Sequence, residues 1–333
     1  MVKGRPLGRV TGTKPKRILV AGGRGFLGGR IAAYLAEAGH QIILGSRSKL
    51  SAPPWLPKAK TVSMYWDDLD SLQKSCEHVD VVINAAGMNA KECALDPVNA
   101  LITNGVATAR LVEAAHAKGV ETLIYLSTAH VYASPLTGVI TEEACPKNLH
   151  PYATSHLAGE SAVLNANALS KLNGIVIRLS NAVGAPMDDR ADCWDLLAND
   201  LCRQAVIEGK LVLQTNGQQQ RDFVAISEIC QTIRLLTETD GNSGTRGLFN
   251  CGSGTSRSIL AIAELVQQRC YQVLGAAPSI SKKEDIQSHT ATPLVYQSTR
   301  LAKLGALMTS EITTEIDQLL AYCNRKFGSS PCK

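Results

Sequence analysis

Lys16-Arg17-Ile18-Leu19-Val20-Ala21 is a short apolar run that leads straight into Gly22-Gly23-Arg24-Gly25-Phe26-Leu27-Gly28. After the glycines, Leu27, Ile31 and Leu35 fall on one helical stripe that stops at Gly39. Nothing else in the chain constrains its fold as strongly as this strand, glycine turn and helix in succession. In that order they form the first unit of a doubly wound sheet. The glycines let the backbone approach a pyrophosphate, and the helix N-terminus stabilises its charge. The candidate contacts are Gly22, Gly25, Phe26, Leu27 and Gly28.

The rhythm continues through the N-terminal half. Apolar runs predict strands at 41–44, 79–84, 122–127 and 175–179, with helices over 97–118 and from about 153 to 172. Strands alternating with helices of ten residues or more argue for an α/β fold, a Rossmann-type doubly wound parallel sheet. Beyond Gly184 the rhythm breaks. A charged helix is expected over 188–208, a strand at 210–214, a turn at Asn216-Gly217 and a helix over 261–274, while 275–297 holds no long periodic run. At roughly 100–200 residues per domain, 333 residues suit two. The expected division is a disordered basic leader at 1–15 and a dinucleotide-binding domain over 16–184, to which 222–245 returns. A smaller α/β substrate-binding region would hold 185–221 and 246–333.

Composition excludes several classes. The net charge of +5 resides in the leader: residues 1–17 carry Lys3, Arg5, Arg9, Lys14, Lys16 and Arg17 and no acid, which leaves the remaining body at −1. A basic nucleic-acid-binding face is therefore not expected. No apolar run approaches the ~20 residues of a spanning helix, and the start lacks the apolar core of a signal peptide. The expectation is a cytoplasmic protein with no membrane partner. Ten scattered cysteines without Cys-x-x-Cys spacing read as buried thiols, with no metal site.

The end of the second strand informs the choice of cofactor. NAD-binding units usually place an acid there to bond the ribose hydroxyls. Here the segment is Gly45-Ser46-Arg47-Ser48-Lys49, and Arg24 sits within the glycine loop. Ser46 and two guanidiniums, Arg24 and Arg47, suit the 2′-phosphate of NADP, because planar forks pair well with phosphate. The alternatives are NAD, and two merely solvated arginines. Asp67 or Asp68, after the third strand, is placed to meet the adenine. Ala85, Ala86 and Gly87 end the fourth strand with small residues that let a cofactor lie close.

The segment Pro151-Tyr152-Ala153-Thr154-Ser155-His156 resembles the Tyr-x-x-x-Lys element of the short-chain dehydrogenase/reductases, with histidine in the lysine's place. From about residue 16 to 325 the chain resembles the extended branch of that family, the NAD(P)-dependent epimerase/dehydratase group acting on nucleotide sugars. The likeness rests on the glycine loop, Asn84-Ala85-Ala86-Gly87, Leu126-Ser127-Thr128-Ala129-His130-Val131-Tyr132 and Arg178-Leu179-Ser180-Asn181-Ala182-Val183-Gly184. It extends through Asn216-Gly217 to Val224 and Phe249-Asn250-Cys251-Gly252-Ser253-Gly254. The resemblance implies that Thr128 hydrogen-bonds the substrate oxygen while Tyr152 exchanges the proton. It implies that Asn104 is the family's structural asparagine beside the cofactor, and that Asn181 and Arg221 hold a nucleotide-sugar diphosphate. A salt bridge from Arg221 to Asp222 is the structural alternative. The GDP-fucose synthases also carry arginine at the position of Arg24, which supports NADP. A homodimer through the helices near 97–118 and 153–171 is implied as well.

Two departures narrow the chemistry. Sugar 4,6-dehydratases carry an Asp-Glu pair after the catalytic threonine, and this chain has Ala129-His130. Elimination thus lacks its acid and base. His130 stands where the GDP-fucose synthases hold a catalytic cysteine, so it is either an auxiliary acid/base or a residue lining the cleft. His156 is the second departure. A lysine would bond the nicotinamide ribose and favour tyrosinate by its charge. Imidazole, at a reference pKa of ~6.5, is roughly a quarter protonated at pH 7. Three outcomes follow: a weaker substitute, a cofactor-binding protein with poor turnover, or catalysis moved to groups such as His130. The leading expectation is an NADP(H)-dependent reductase or epimerase of a nucleotide sugar. The alternatives are a cofactor-binding pseudoenzyme or regulatory subunit, and a reductase of a non-sugar ketone.

Overall fold

In a computed structural model describing residues 14–239, 245–283, 292–306, 308–309 and 311–328, strand β1 (Arg17–Ala21) is buried on both faces. Ile18 and Val20 point to one side and Leu19 and Ala21 to the other, as a period of two requires. A strand apolar on both faces needs cover above and below, which parallel sheets obtain from crossover helices. Next come α1 (Phe26–Glu37), β2 (Gln41–Ser46), β3 (Lys60–Ser63), α2 (Leu69–Ser75) and β4 (Val81–Asn84). A helical stretch over 97–117 combines Pro97–Ala100, a π-helical segment Leu101–Val106 and α3 (Ala107–Ala117). β5 (Thr122–Thr128), α4 (Pro151–Ala168) and β6 (Asn173–Leu179) complete the N-terminal half. The remainder holds α5 (Leu197–Glu208), α6 (Ile226–Glu238), β7 (Gly247–Cys251), α7 (Ile259–Leu274) and α8 (Thr313–Phe327).

The seven strands form one parallel sheet in the order β7-β6-β5-β4-β1-β2-β3. α1 and α6 cover one face through Ile31, Leu35, Ile229, Ile233 and Leu236. α2, α3 and α4 cover the other through Leu72, Leu111, Ala115 and Val163. Strand order reverses between β1 and β4, so a crevice opens beyond their carboxyl ends. A second core, among α5, α7 and α8, gathers Leu201, Val266, Ile316, Leu319 and Leu320.

Two expectations are corrected here. The helix predicted from 188 begins only at Leu197. Asp188 Oδ1 accepts hydrogen bonds from both the backbone N–H and the Nε of Arg190, a local turn that competes with helix formation. The boundary expected after residue 245 falls before the last strand of the main sheet, because β7 pairs with β6 from Gly247↔Ile175 to Cys251↔Leu179. The leader lies outside the described residues up to residue 13. Among the described residues no helix is long and apolar enough to cross a membrane. The nine described cysteines are free thiols, and eight of them are buried.

Candidate active site

The glycine turn brings the ends of β1 and β4 into contact. Gly22 has φ +71°, and a Cβ there would sit 2.8 Å from Ala86 N and 2.9 Å from the Ala85 carbonyl oxygen. A Cβ on Gly28 would collide with the Gly22 carbonyl, so the helix can start this close only with glycine. α1 begins at Phe26 with no side-chain cap and no acid in its first turn. The N–H groups of Phe26, Leu27 and Gly28 therefore keep their donors for an anion. This cradle, walled by Ala85, Ala86 and Gly87, fits the pyrophosphate of a dinucleotide.

On the β2 side the expected residues are spread differently. Arg24 donates from Nη2 to the Ser51 carbonyl at 2.6 Å, and its Nε lies 3.8 Å from Asp188 Oδ2. Arg47 is exposed and makes no ion pair among the described residues. Ser46 Oγ donates to the Ser48 carbonyl. The Asp68 carboxylate caps α2, accepting from Ser71 N at 3.1 Å. A cavity of about 480 Å³ on this side is lined by Lys49, Leu50, Ser51, Thr61, Val62 and Ser63. Lys49 thus joins the arginines as a third base.

Thr128 ends β5 and is buried, its Oγ1 accepting from His130 N at 3.1 Å. α4 starts sharply because His150 caps it through Nδ1 and Pro151 occupies its first position. Tyr152 therefore stands in the first turn, within reach of the Thr128 hydroxyl. Burial raises the Tyr152 pKa above its ordinary value, and the Thr128 hydroxyl opposes this only in part. One turn later the His156 ring stands T-shaped against Tyr152, with centroids 4.6 Å apart.

His156 does not meet the expectation of partial charge. It is 6% exposed, and burial pushes its pKa from 6.5 down to about 4. At pH 7 about one ring in a thousand is protonated, against the quarter expected from the reference value. Its Nδ1 lies 2.8 Å from the hydroxyl of Tyr125, a fully buried residue of β5. Tyr125 also donates toward the Asn104 carbonyl at 3.3 Å. Asn104 lies in the π-helical segment, where its Oδ1 accepts from Met88 N at 2.9 Å and its Nδ2 donates to Ser155 Oγ at 3.0 Å. It braces the backbone after Gly87 from beneath.

Across the cleft, Arg221 is desolvated, and this lowers its pKa. Its Nη2 donates to Gln219 Oε1 at 3.1 Å, and it has no acidic partner among the described residues. The alternative salt bridge to Asp222 is not formed. The Asp222 carboxylate accepts instead from the Ser180 hydroxyl and from Ser253 N and Oγ. Asn181 Nδ2 donates to the Asp222 carbonyl at 2.8 Å, on a strand register that pairs Asn181 with Phe223. His130 has a lowered pKa, first by burial and then by the positive neighbourhood of Arg221 and His150. It therefore lies within electrostatic reach of Arg221.

Motif reading does not reveal two supports. Tyr125 is hidden within a uniformly apolar run, so sequence gives its inward direction but no partner. The other is the buried pair Arg178–Glu160, bonded from Nε to Oε1 at 2.9 Å and shared with Ser127. It ties β5, β6 and α4 together directly behind Thr128.

The model of the NAD dependent epimerase/dehydratase family matches residues 18–252. A UDP-glucose 4-epimerase of Azospirillum brasilense is 24% identical over 268 residues, covering 76% of this chain and 77% of its own length. A dTDP-6-deoxy-L-talose 4-dehydrogenase (NAD(P)(+)) of Kitasatospora kifunensis is 28% identical over 261 residues, covering 76% and 79%. Among solved structures, MoeE5 in complex with UDP-glucose and NAD superposes with a TM-score of 0.76 at 21% identity, over 94% of this chain and all of that one. With a glycine cradle at the sheet's switch point and a family match over most of the sequence, this chain belongs to the NAD-dependent epimerase/dehydratase family.

Proposed function

We propose that the chain is an NADP(H)-dependent reductase or epimerase of a nucleotide-activated sugar. The observation that carries this reading is the meeting of the Thr128 hydroxyl with the Tyr152 phenol at the carboxyl end of β5, beside the glycine cradle. A nicotinamide dinucleotide bound in the cradle supplies the hydride. Tyr152 gives its phenolic proton to the carbonyl oxygen of a keto-sugar as that oxygen becomes negative, and Thr128 hydrogen-bonds the same oxygen. The proton on Tyr152 is then restored from solvent. With His156 neutral, Tyr152 stays protonated, which favours proton donation and therefore ketone reduction. The absence of an Asp-Glu pair at Ala129-His130 argues against dehydration. Arg47, Lys49 and the edge of Arg24 supply positive charge for a 2′-phosphate, which is the basis for NADP over NAD.

The substrate class follows from Arg221. A desolvated guanidinium without an acid beside it suits a diphosphate, with Asn181 and the basic surroundings of His130 completing the pocket. Isothermal titration with UDP-glucose and with dTDP- and GDP-linked hexoses tests this. Arg221→Ala should weaken binding of the preferred nucleotide sugar about 10- to 100-fold. Unchanged affinity would favour a non-sugar ketone.

A second reading, a cofactor-binding subunit with little turnover, is favoured by the neutral state of His156. Absence of NADPH oxidation across a panel of keto-sugars, with cofactor binding intact, would select it. A homodimer is proposed through the helical stretch over 97–117 and α4. Leu95, Val98, Leu101, Ile102 and Val106 are all at least 43% exposed on that side. A monomer in sedimentation at micromolar concentration would exclude it.

A further inference from the structure

The Tyr125 hydroxyl has two polar neighbours that make unequal demands. The Asn104 carbonyl at 3.3 Å can only accept, while Nδ1 of His156 at 2.8 Å can accept or donate according to its tautomer. The phenol has one hydrogen. Both contacts are satisfied together only if Tyr125 donates to Asn104 and the imidazole carries its proton on Nδ1, donating it to the phenol oxygen. The Thr108 hydroxyl also lies within reach of Tyr125. The arrangement depends on Gly159, because a Cβ there would stand 2.8 Å from the Tyr125 hydroxyl and 2.5 Å from the Asn104 carbonyl.

Nε2 is then the unprotonated nitrogen. It has no hydrogen-bond partner among the described residues, and the residue is not fully sealed, with 6% exposed. Gly87 borders it: a Cβ there would lie 3.9 Å from His156 Cε1. The uncharged rings of Tyr152 and Tyr125 pack against the imidazole, and burial alone sets its protonation.

We propose that Tyr125 is a positioning residue that locks His156 in the Nδ1–H tautomer. Nε2 then accepts a hydrogen bond from a hydroxyl of the nicotinamide ribose, where the lysine of the resembled enzymes would donate one. The polarity of the ribose contact is reversed without a charge entering the site. The ribose part rests on the dinucleotide reading above; the tautomer does not.

Long-range proton–nitrogen NMR of the full chain labelled with ¹⁵N-histidine reads the tautomer without cofactor or substrate, and His156→Gln assigns the signal. A protonated-type Nδ1 with an unprotonated-type Nε2 is expected. The reverse pattern in the unmutated chain overturns the proposal. Tyr125→Phe should release the ring toward the Nε2–H form and weaken NADPH about three- to tenfold in a fluorescence titration. Binding of UDP-glucose should be unchanged in that variant, which separates this effect from misfolding. An unaltered tautomer, or unaltered NADPH affinity, in a folded Tyr125→Phe protein contradicts it. Failure of every sugar to turn over would count against the proposed function and leave the tautomer measurement standing.

Discussion

Replacing His156 with lysine restores the charge that the buried imidazole lacks. In the present site the groups around Tyr152 are uncharged, and burial holds its pKa above the usual tyrosine range. At pH 8 the tyrosinate fraction is then below about 1%. The ring centres of Tyr152 and His156 are 4.6 Å apart. A unit charge at that separation, with an effective dielectric of ~20, is worth about 3–4 kcal/mol, or roughly two and a half pKa units. His156→Lys should therefore raise the tyrosinate fraction at pH 8 by up to about 300-fold. Tyrosine Cζ-labelled NMR, with Tyr152→Phe to assign the resonance, follows the titration directly. Oxidation of a nucleotide-sugar alcohol by NADP⁺, which needs tyrosinate as base, should rise in parallel, and its pH profile should move to lower pH. Reduction near pH 7 should change far less. The reasoning fails if Tyr152 already titrates below pH 8 in the unmutated chain. It fails equally if the introduced ammonium leaves the Tyr152 midpoint in place.

The support behind the site gives a second prediction. Glu160→Gln leaves the Arg178 guanidinium buried without its counter-charge, and Arg178 is only 4% exposed. A loss of about 3–5 kcal/mol in denaturant unfolding is expected, and a loss below about 1 kcal/mol would show that the pair is incidental. Thr128→Val keeps the volume and removes the hydroxyl. It should lower kcat by roughly a hundredfold with little change in NADPH affinity. A fall in cofactor binding alone would reassign Thr128.

Much of the architecture is legible in the chain because local and global signals agree there. The β1–glycine–α1 unit and the buried runs at β4, β5 and β6 all carry patterns that depend only on neighbours in sequence. What escapes is what depends on partners far apart. The charge of His156 cannot be read from the tetrad Tyr152–Ser155, because it is set by burial among residues distant in sequence, Tyr125 among them, 31 residues away. That the Arg221 guanidinium has no acidic partner among the described residues depends on Ser180 and Ser253 engaging Asp222 instead. The charged segment at 188–196 has a composition that permits a helix, while the Asp188–Arg190 turn and its contact with Arg24 forbid one. Helix α8 shows the opposite case: Ile316, Leu319, Leu320 and Cys323 stand at helical spacing, but no motif draws attention to them.

The account turns on Tyr152 acting as a neutral acid toward a keto-sugar held by its diphosphate. The most direct measurement is the single-turnover rate of NADPH oxidation at pH 7 with 4-keto sugars linked to UDP, dTDP and GDP, compared between the unmutated chain and Tyr152→Phe. The account predicts reduction of at least one of them and a loss of about 10²- to 10⁴-fold in the variant. Turnover that survives Tyr152→Phe would contradict it.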